Sequence, residues 1–251
     1  MPSSPAHLFW PAGVWRADAW SAPACACSSG HPALDAQLPG GGWPAGGLVE
    51  LLSTQPGLHE GSLLAPHWAD VCRAEPAARL AWVVLRHNPW RAHAPGLARL
   101  GLSPQRLLCL RPATEADAAW AVEQMLHSAG VNAIWWLTRH AQSQHLRRLQ
   151  WAAQARGIPL FVSRPLACRQ DPSPAPLRLH LQAAPEQALR VRILKRQGPR
   201  HERALDLPCA NPLPLLPPCS GPSLQPVPWL AGQPPSFAHV VDRPVPAPVA
   251  A

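Results

Sequence analysis

LVELLSTQPGLHEGSLL (48–64) is the most informative segment of the sequence. Its first part, LVELL (48–52), is a short apolar run typical of a buried strand. Its second part, STQPGLHEGSLL (53–64), is a glycine-bearing turn that leads into a helical pattern. A strand, a glycine-bearing loop and a helix in this order are the setting of a phosphate-binding loop, whose backbone N–H groups hold phosphate oxygens at the start of the helix.

This loop lacks the side chains that a nucleotide-hydrolysing site needs. A working loop has the pattern G-x-x-x-x-G-K-[ST], in which the lysine neutralises phosphates and the hydroxyl group holds magnesium. Here three residues separate Gly57 from Gly61, Ser62 stands at the lysine position, and the only lysine of the chain is Lys195. The pattern therefore indicates either a degenerate phosphate loop or an ordinary strand-to-helix turn.

Strand-like and helix-like segments alternate after this loop. The alternation predicts a mostly parallel sheet flanked by helices, with helices over 61–73, 113–130 and 141–157, a helix or broken helix over 89–101, and strands over 79–86, 105–111, 132–138 and 158–163. Two later segments, 176–184 and 188–198, alternate apolar and polar residues. They predict an antiparallel hairpin at the edge of the sheet.

The two ends of the chain do not share this pattern. We predict an irregular N-terminal segment over 1–30, one α/β domain over 31–207 and a disordered Pro-rich tail over 208–251. The tail is dense in proline and nearly free of charge, a composition that cannot build a packed core. No run of about 18 apolar residues exists, which argues against a membrane span. The first fifteen residues also lack the pattern of a signal peptide.

Positive charge is concentrated in the second half of the chain. The formal net charge is +8, and residues 131–207 hold thirteen of the 22 basic residues against four acidic ones. This excess predicts contact with DNA phosphates or with an acidic partner. The alternative is a solvated edge strand that its charges protect from aggregation. The candidate contact residues are Arg190, Arg192, Lys195, Arg196, Arg200 and Arg203.

Cysteine usage predicts a cytoplasmic protein without a metal site. The seven cysteines are scattered and odd in number, and their one close pair, Cys25 and Cys27, has no matching partner pair. This pattern is typical of free thiols in a reducing compartment. We expect no metal and no cofactor.

Several blocks resemble RecA-type recombinases. LDAQLPGGGWPAGGLVELL (34–52) is similar to the lead-in of their phosphate loop, and LARLGLSPQRLLCLRPAT (97–114) and SAGVNAIWWL (128–137) follow in the same succession. The resemblance covers roughly residues 31–165. It implies a RecA-like, P-loop-type α/β core with a mostly parallel sheet flanked by helices and antiparallel C-terminal edge strands.

Two further charged groups of RecA-type enzymes have no match here. The family carries a glutamate after its second core strand, where LRHNPW (85–90) offers no acid. It also needs an aspartate that organises magnesium, and Leu137 stands at that position. With Ser62 in place of lysine, all three groups that stabilise phosphoryl transfer are missing. The resemblance thus implies that the chain is not an enzyme, although an ATPase with an unorthodox site is an open alternative.

A second, closer resemblance is to the ImuA family of RecA-like proteins associated with translesion synthesis. The similar blocks are VWRADA (14–19), GHPALDAQLPGGGWPAGGLVELL (30–52), RLLCLRPA (106–113), LRRLQWAA (146–153) and RVRILKRQG (190–198). This resemblance implies a non-catalytic accessory role in SOS-induced, error-prone translesion DNA synthesis. It implies binding to ImuB, an inactive Y-family polymerase homologue, and to an error-prone replicative-type polymerase, with RecA and DNA as further candidate partners. The alternative is a SulA-type cell-division inhibitor that binds the tubulin-like division protein, because that group shares the degenerate core.

Overall fold

The computed structural model describes residues 26–185, 188–198 and 203–208. Most of the predicted N-terminal segment, the tail from residue 209 and Arg200 lie outside the described residues.

Within these ranges the helices are α1 (Pro32–Asp35), α2 (Glu60–Ala74), α3 (Ala94–Arg99), α4 (Glu115–His127) and α5 (Ser143–Arg156). The strands are β1 (Ala26–Cys27), β2 (Trp43–Pro44), β3 (Gly47–Ser53), β4 (Arg79–Val84), β5 (Leu107–Leu110), β6 (Val131–Leu137), β7 (Pro159–Pro165), β8 (Leu177–Ala184), β9 (Ala188–Lys195) and β10 (Ala204–Pro208). None of the described helices has the length and apolar character required to cross a lipid bilayer.

The central sheet has eight strands in the order β10-β9-β8-β3-β7-β6-β4-β5. The six strands from β8 to β5 in this order pair in parallel, and β9 and β10 add antiparallel pairings at one end. The prediction of an α/β fold with a mostly parallel sheet, flanking helices and antiparallel C-terminal strands is confirmed.

The hydrophobic core lies on both faces of this sheet. On one face, α2 packs Trp68 against Trp82 of β4 and Trp135 of β6. On the other face, α4 and α5 contact each other and contribute Val122 and Leu146. Because both faces are covered, the central strands are apolar at nearly every position.

Local sequence signals explain where two helices begin and end. Thr114 precedes α4, and its side-chain oxygen accepts the Asp117 N–H at 3.1 Å, as an N-cap residue does. Gly157 follows α5 in the left-handed conformation, with φ of 73°. A residue with a side chain would be strained at that φ, so α5 ends there.

Three predicted elements need correction. The helix or broken helix predicted over 89–101 is present only as the six residues of α3, and residues 89–93 form a loop. The strand predicted over 105–111 is shortened to β5, because Pro104–Arg106 form a 3-10 turn before it. The predicted hairpin of β8 and β9 is present but does not form the edge of the sheet, since β10 pairs outside it.

Candidate functional site

Residues 54–59 connect β3 to α2 at the carboxyl edge of the parallel strands. Gly57 lies at the turn with φ of 97°, whereas Gly61 and Ser62 already belong to the first turn of α2. The loop that follows β4 and Leu137 at the end of β6 reach the same edge. The structure therefore brings the glycine turn, the loop after β4 and Leu137 to one edge of the sheet. We call residues 54–60, 85–90 and 137–140 the loop edge.

Glu60, the first residue of α2, occupies the centre of the loop edge. Its side chain is fully buried, and its Oε2 atom accepts the N–H of Gly57 at 2.9 Å and that of His59 at 3.0 Å. The Ser53 hydroxyl donates to Oε1 at 3.4 Å. Two N–H groups that a phosphate loop would direct at its ligand thus donate to a carboxylate of the same chain.

Apolar side chains cover the same turn. The Trp90 indole N–H donates to the Gly57 carbonyl at 2.9 Å. A Cβ atom added to Gly57 would lie 3.0 Å from Trp90 Cδ1 and 3.1 Å from Leu137 Cδ2. Trp90 itself packs on Trp82 and Trp135, with ring centroids 5.1 Å apart in each pair. Leu137, where the resemblance to RecA-type enzymes would place a magnesium-organising acid, therefore contacts the glycine turn.

Arg111 fixes the loop that follows β4. Its guanidinium donates to the carbonyl oxygens of Leu85 at 3.2 Å, Arg86 at 2.8 Å, Asn88 at 2.7 Å and Trp90 at 2.8 Å. Hydrogen bonds from a charged donor are the stronger kind, so one side chain holds the whole turn.

Glu115, at the start of α4, fixes the loop that follows β6 in the same way. Its carboxylate accepts the Thr138 hydroxyl at 2.7 Å and the N–H groups of Arg139 at 3.3 Å and His140 at 3.4 Å. The Glu115 carboxylate is thus engaged in holding the backbone of the loop that follows β6.

Two neighbouring hollows open along the loop edge, with volumes of about 510 Å³ and 460 Å³. They share Asn88, Pro89, Leu137 and Arg139 in their walls. The volumes fall in the range of small-molecule sites. Among the described residues, no group of three or more His, Cys, Asp or Glu side chains is placed to bind a metal ion.

Three of the predicted basic residues share one face of the sheet. In the pairing of β8 with β9, Arg190 lies opposite Gln182 and Arg192 opposite His180. A register shift near the end of β9 places Lys195 opposite Arg178. Cross-strand partners point to the same side of a sheet, so these side chains form one surface. We call Arg190, Arg192, Lys195 and His180 the basic sheet face.

The charges of the basic sheet face are only partly neutralised. Arg190 makes a bidentate pair with Asp206 of β10, with both N–O distances 2.7 Å. Lys195 donates to the Ser173 carbonyl at 3.0 Å, and Arg192 is exposed. Burial, then the positive charges of Arg192 and Arg169, lower the pKa of His180. Burial, then Arg178, lower the pKa of Lys195. Glu50 acts in the opposite direction on Lys195, so the positive charges here are only partly compensated.

The remaining predicted basic residues lie elsewhere. Arg196 donates to the backbone carbonyl of Gln37, beyond α1, and does not share the basic sheet face. Arg203 is exposed just before β10, and Arg200 lies outside the described residues.

Beside the basic sheet face, on the same side of the sheet, lies an ion-pair network that no sequence motif indicated. Glu50 of β3 is fully buried and accepts from Arg164 at 2.9 Å and from Arg178 at 2.5 Å. Arg178 also donates to the carbonyls of Cys168 at 2.8 Å and Arg169 at 3.0 Å. The one sequence signal is the acidic residue inside the apolar run LVELL. A buried carboxylate needs such partners, so β3, β7 and β8 are linked in register.

The chain is similar to two curated relatives. No family model matches the chain. Over 138 residues, 52% of the chain, it is 33% identical to "Protein ImuA" from two strains of Caulobacter vibrioides, NA1000 / CB15N and CB 15, and the match covers 53% of each relative. The chain spans about half the length of the curated relatives it matches. This similarity supports an ImuA-like family for the chain.

Proposed function

We propose that this chain is a non-catalytic accessory protein of SOS-induced, error-prone translesion DNA synthesis. In this proposal it acts in the cytoplasm by binding an inactive Y-family polymerase homologue of the ImuB type. An error-prone replicative-type polymerase, RecA and DNA are further partners. The similarity to Protein ImuA supports the mutagenesis role.

The engagement of Glu60 carries the non-catalytic part of the proposal. A phosphate group at this turn would meet a buried carboxylate of the same sign that already holds the N–H groups of Gly57 and His59. Phosphoryl transfer depends on charges placed around the transferred group. Ser62 and Leu137 cannot supply them. We infer that the sheet is a degenerate RecA-like, P-loop-type core kept for its surfaces.

An ATPase assay tests the absence of catalysis. We expect no ATP turnover above background with Mg²⁺, in the presence or absence of single-stranded DNA. Turnover that disappears in Ser62→Ala would show a working, unorthodox site and overturn the proposal.

A binding assay tests the role as a partner. The full chain is mixed at micromolar concentration with the ImuB-type homologue encoded in the same genome, and the mixture is resolved by size-exclusion chromatography. We expect a stable complex. Separate elution of the two proteins at all concentrations would contradict the role.

A further inference from the structure

Two arginines from different elements lie near His180, on the side of the sheet that carries the basic sheet face. Arg192 of β9 is directly opposite His180 of β8, so the two side chains are cross-strand neighbours. Arg169 belongs to the 3-10 turn that follows β7, and its carbonyl oxygen accepts a hydrogen bond from Arg178 at 3.0 Å. Arg178 precedes His180 by two residues on β8 and therefore points to the same side of the sheet. Three elements thus bring Arg169, His180 and Arg192 together.

The surroundings of the His180 ring agree with this placement. After burial, the positive charges of Arg192 and then Arg169 are the causes that lower the pKa of His180. The residue is 8% exposed, and its Nε2 atom has no hydrogen-bond partner in the part of the chain that the structure describes. A buried polar atom without a partner is uncommon in folded proteins. At neutral pH the ring is therefore uncharged, lies beside two cations and has one nitrogen atom unused.

No carboxylate among the described residues neutralises Arg169 or Arg192. The described carboxylates on this side of the sheet are already paired with other arginines, namely Glu50, Asp171 and Asp206. The side chains of Arg169 and Arg192 are exposed, and their guanidinium groups form no hydrogen bond or ion pair with any described residue. Two such cations beside a neutral imidazole attract an anion from outside the chain.

The arrangement suits a phosphate group better than a carboxylate. Guanidinium groups bind phosphate oxygens through paired N–H donors. A carboxylate offers two oxygens in one plane, whereas a phosphate directs its oxygens towards several sides and can accept from donors on three elements. The phosphodiester backbone of DNA and a free phosphate ion share this chemistry.

We propose that Arg169 and Arg192 clamp one phosphate group beside His180, whose ring N–H donates to the same group. We call these three residues the phosphate clamp. The DNA backbone is the source of phosphate that fits the proposed function, and the inference rests on DNA being one of the partners there. The clamp adds Arg169 and His180, which no sequence pattern indicated, to the predicted contact residue Arg192.

A double-mutant cycle on oligonucleotide binding tests whether the two arginines share one phosphate. The wild-type chain, Arg169→Gln, Arg192→Gln and the double variant are each titrated into a fluorescent single-stranded oligonucleotide at low salt. We expect each single variant to raise Kd roughly tenfold. The double variant should raise Kd by clearly less than the product of the two, because the same phosphate contact is lost in each. Arg190→Gln removes an equal charge that Asp206 already neutralises, so this matched control leaves Kd nearly unchanged.

The pKa of His180 gives a second readout, which a general loss of positive charge does not reproduce. NMR titration of the ring proton, assigned with His180→Gln, measures this pKa in the chain alone, with the oligonucleotide and with sulfate. Sulfate serves as a tetrahedral anion that does not titrate near neutral pH. A bound anion compensates the charges of Arg169 and Arg192, so we expect both ligands to raise the pKa of His180. In Arg169→Gln, the rise caused by sulfate should be smaller.

Other outcomes overturn the inference or identify the source of the phosphate. If the oligonucleotide binds, but Arg169→Gln and Arg192→Gln bind it as tightly as the wild-type chain, the clamp is wrong while DNA stays a partner. Effects that multiply in the double variant would place the two arginines on separate phosphates and would also overturn the clamp. If sulfate raises the pKa of His180 and no oligonucleotide binds, the clamp holds a free phosphate and DNA is not a partner. If neither ligand binds, the clamp is wrong, and complex formation with the ImuB-type homologue tests the proposed function separately.

Discussion

The loop edge and the basic sheet face lie in the same sheet but differ in how completely their charged groups are engaged by the chain. At the loop edge, Glu60, Arg111 and Glu115 all bond to the chain itself and hold backbone turns. On the basic sheet face, Arg192 is exposed and adds to the positive charge around His180. The difference teaches that the charged groups around the loop edge hold backbone turns, whereas Arg192 leaves a positive charge open to solvent on the C-terminal strands.

Removing the Glu60 carboxylate should have the largest effect. Glu60→Ala leaves the N–H groups of Gly57 and His59 without their buried acceptor. We expect the free energy of unfolding to fall by roughly 2–4 kcal/mol. Urea denaturation measures it, with Glu75→Ala at the exposed C-terminal end of α2 as the control. An equal, small loss in both variants would mean that Glu60 is not a structural part of the loop edge.

A pair of glycine substitutions sharpens the same point. Gly57→Ala places a methyl group against Trp90 and Leu137 at an unfavourable φ, and should cost roughly 1–3 kcal/mol of unfolding free energy. Gly61→Ala meets nothing within 4 Å inside α2 and should stabilise the protein by roughly 0.5–1 kcal/mol. Thermal unfolding of both variants provides the comparison. A Gly57→Ala variant as stable as the wild-type protein would contradict the tight contact of Gly57 with Trp90 and Leu137.

The basic sheet face can be divided by charge reversal. Arg192→Glu should weaken binding of a DNA oligonucleotide and reduce the slope of affinity against salt concentration by about one charge contact. Arg190→Glu should have less effect on the affinity itself, because Asp206 already neutralises that guanidinium. Arg196→Glu, away from this face, is the control. Fluorescence anisotropy at low salt measures the oligonucleotide affinity of all three variants. Equal losses of affinity would show that the basic sheet face is not a defined binding surface.

The smallest expected effect is on pH dependence. The pKa values of His31, His67 and His180 are lowered, first by burial, from 6.5. The unfolded state therefore binds more protons in acid. The stability contributed by the neutral forms is complete above about pH 6.5 and is lost as the pH falls through the lowered values. Urea midpoints between pH 8 and pH 5 should decrease accordingly. Arg192→Ala should make this decrease in the urea midpoint smaller, because Arg192 helps to lower the pKa of His180. A urea midpoint that rises towards pH 5 would contradict the prediction.

Much of the fold could be predicted because its signals are local. The apolar run at 48–52 predicts β3, and Thr114 predicts the start of α4, since a strand buried on both faces and a capped helix each leave a pattern within a few residues. The strand β10 could not be predicted in this way. It is five residues long, includes Asp206 and ends in Pro208, so only its pairing with β9 defines it.

The candidate site was harder to predict for a related reason. In the sequence, Glu60 is an ordinary acidic residue in the first turn of a helix, which is common. Its role depends on the return of its carboxylate to the turn before it. Trp90 lies in a segment whose pattern predicted a helix, and its contact with Gly57 depends on the packing of four tryptophans. Such contacts join residues that are distant in the sequence, so they leave no periodic pattern from which they could be predicted.

Calorimetric titration of the wild-type chain with MgATP tests the central claim most directly. If the Glu60 carboxylate holds the N–H groups of the turn, MgATP up to millimolar concentration should give no saturable binding and no shift in the thermal midpoint. Saturable binding at micromolar concentration, weakened by Gly57→Ala, would show that the loop edge still accepts a nucleotide and would contradict the account.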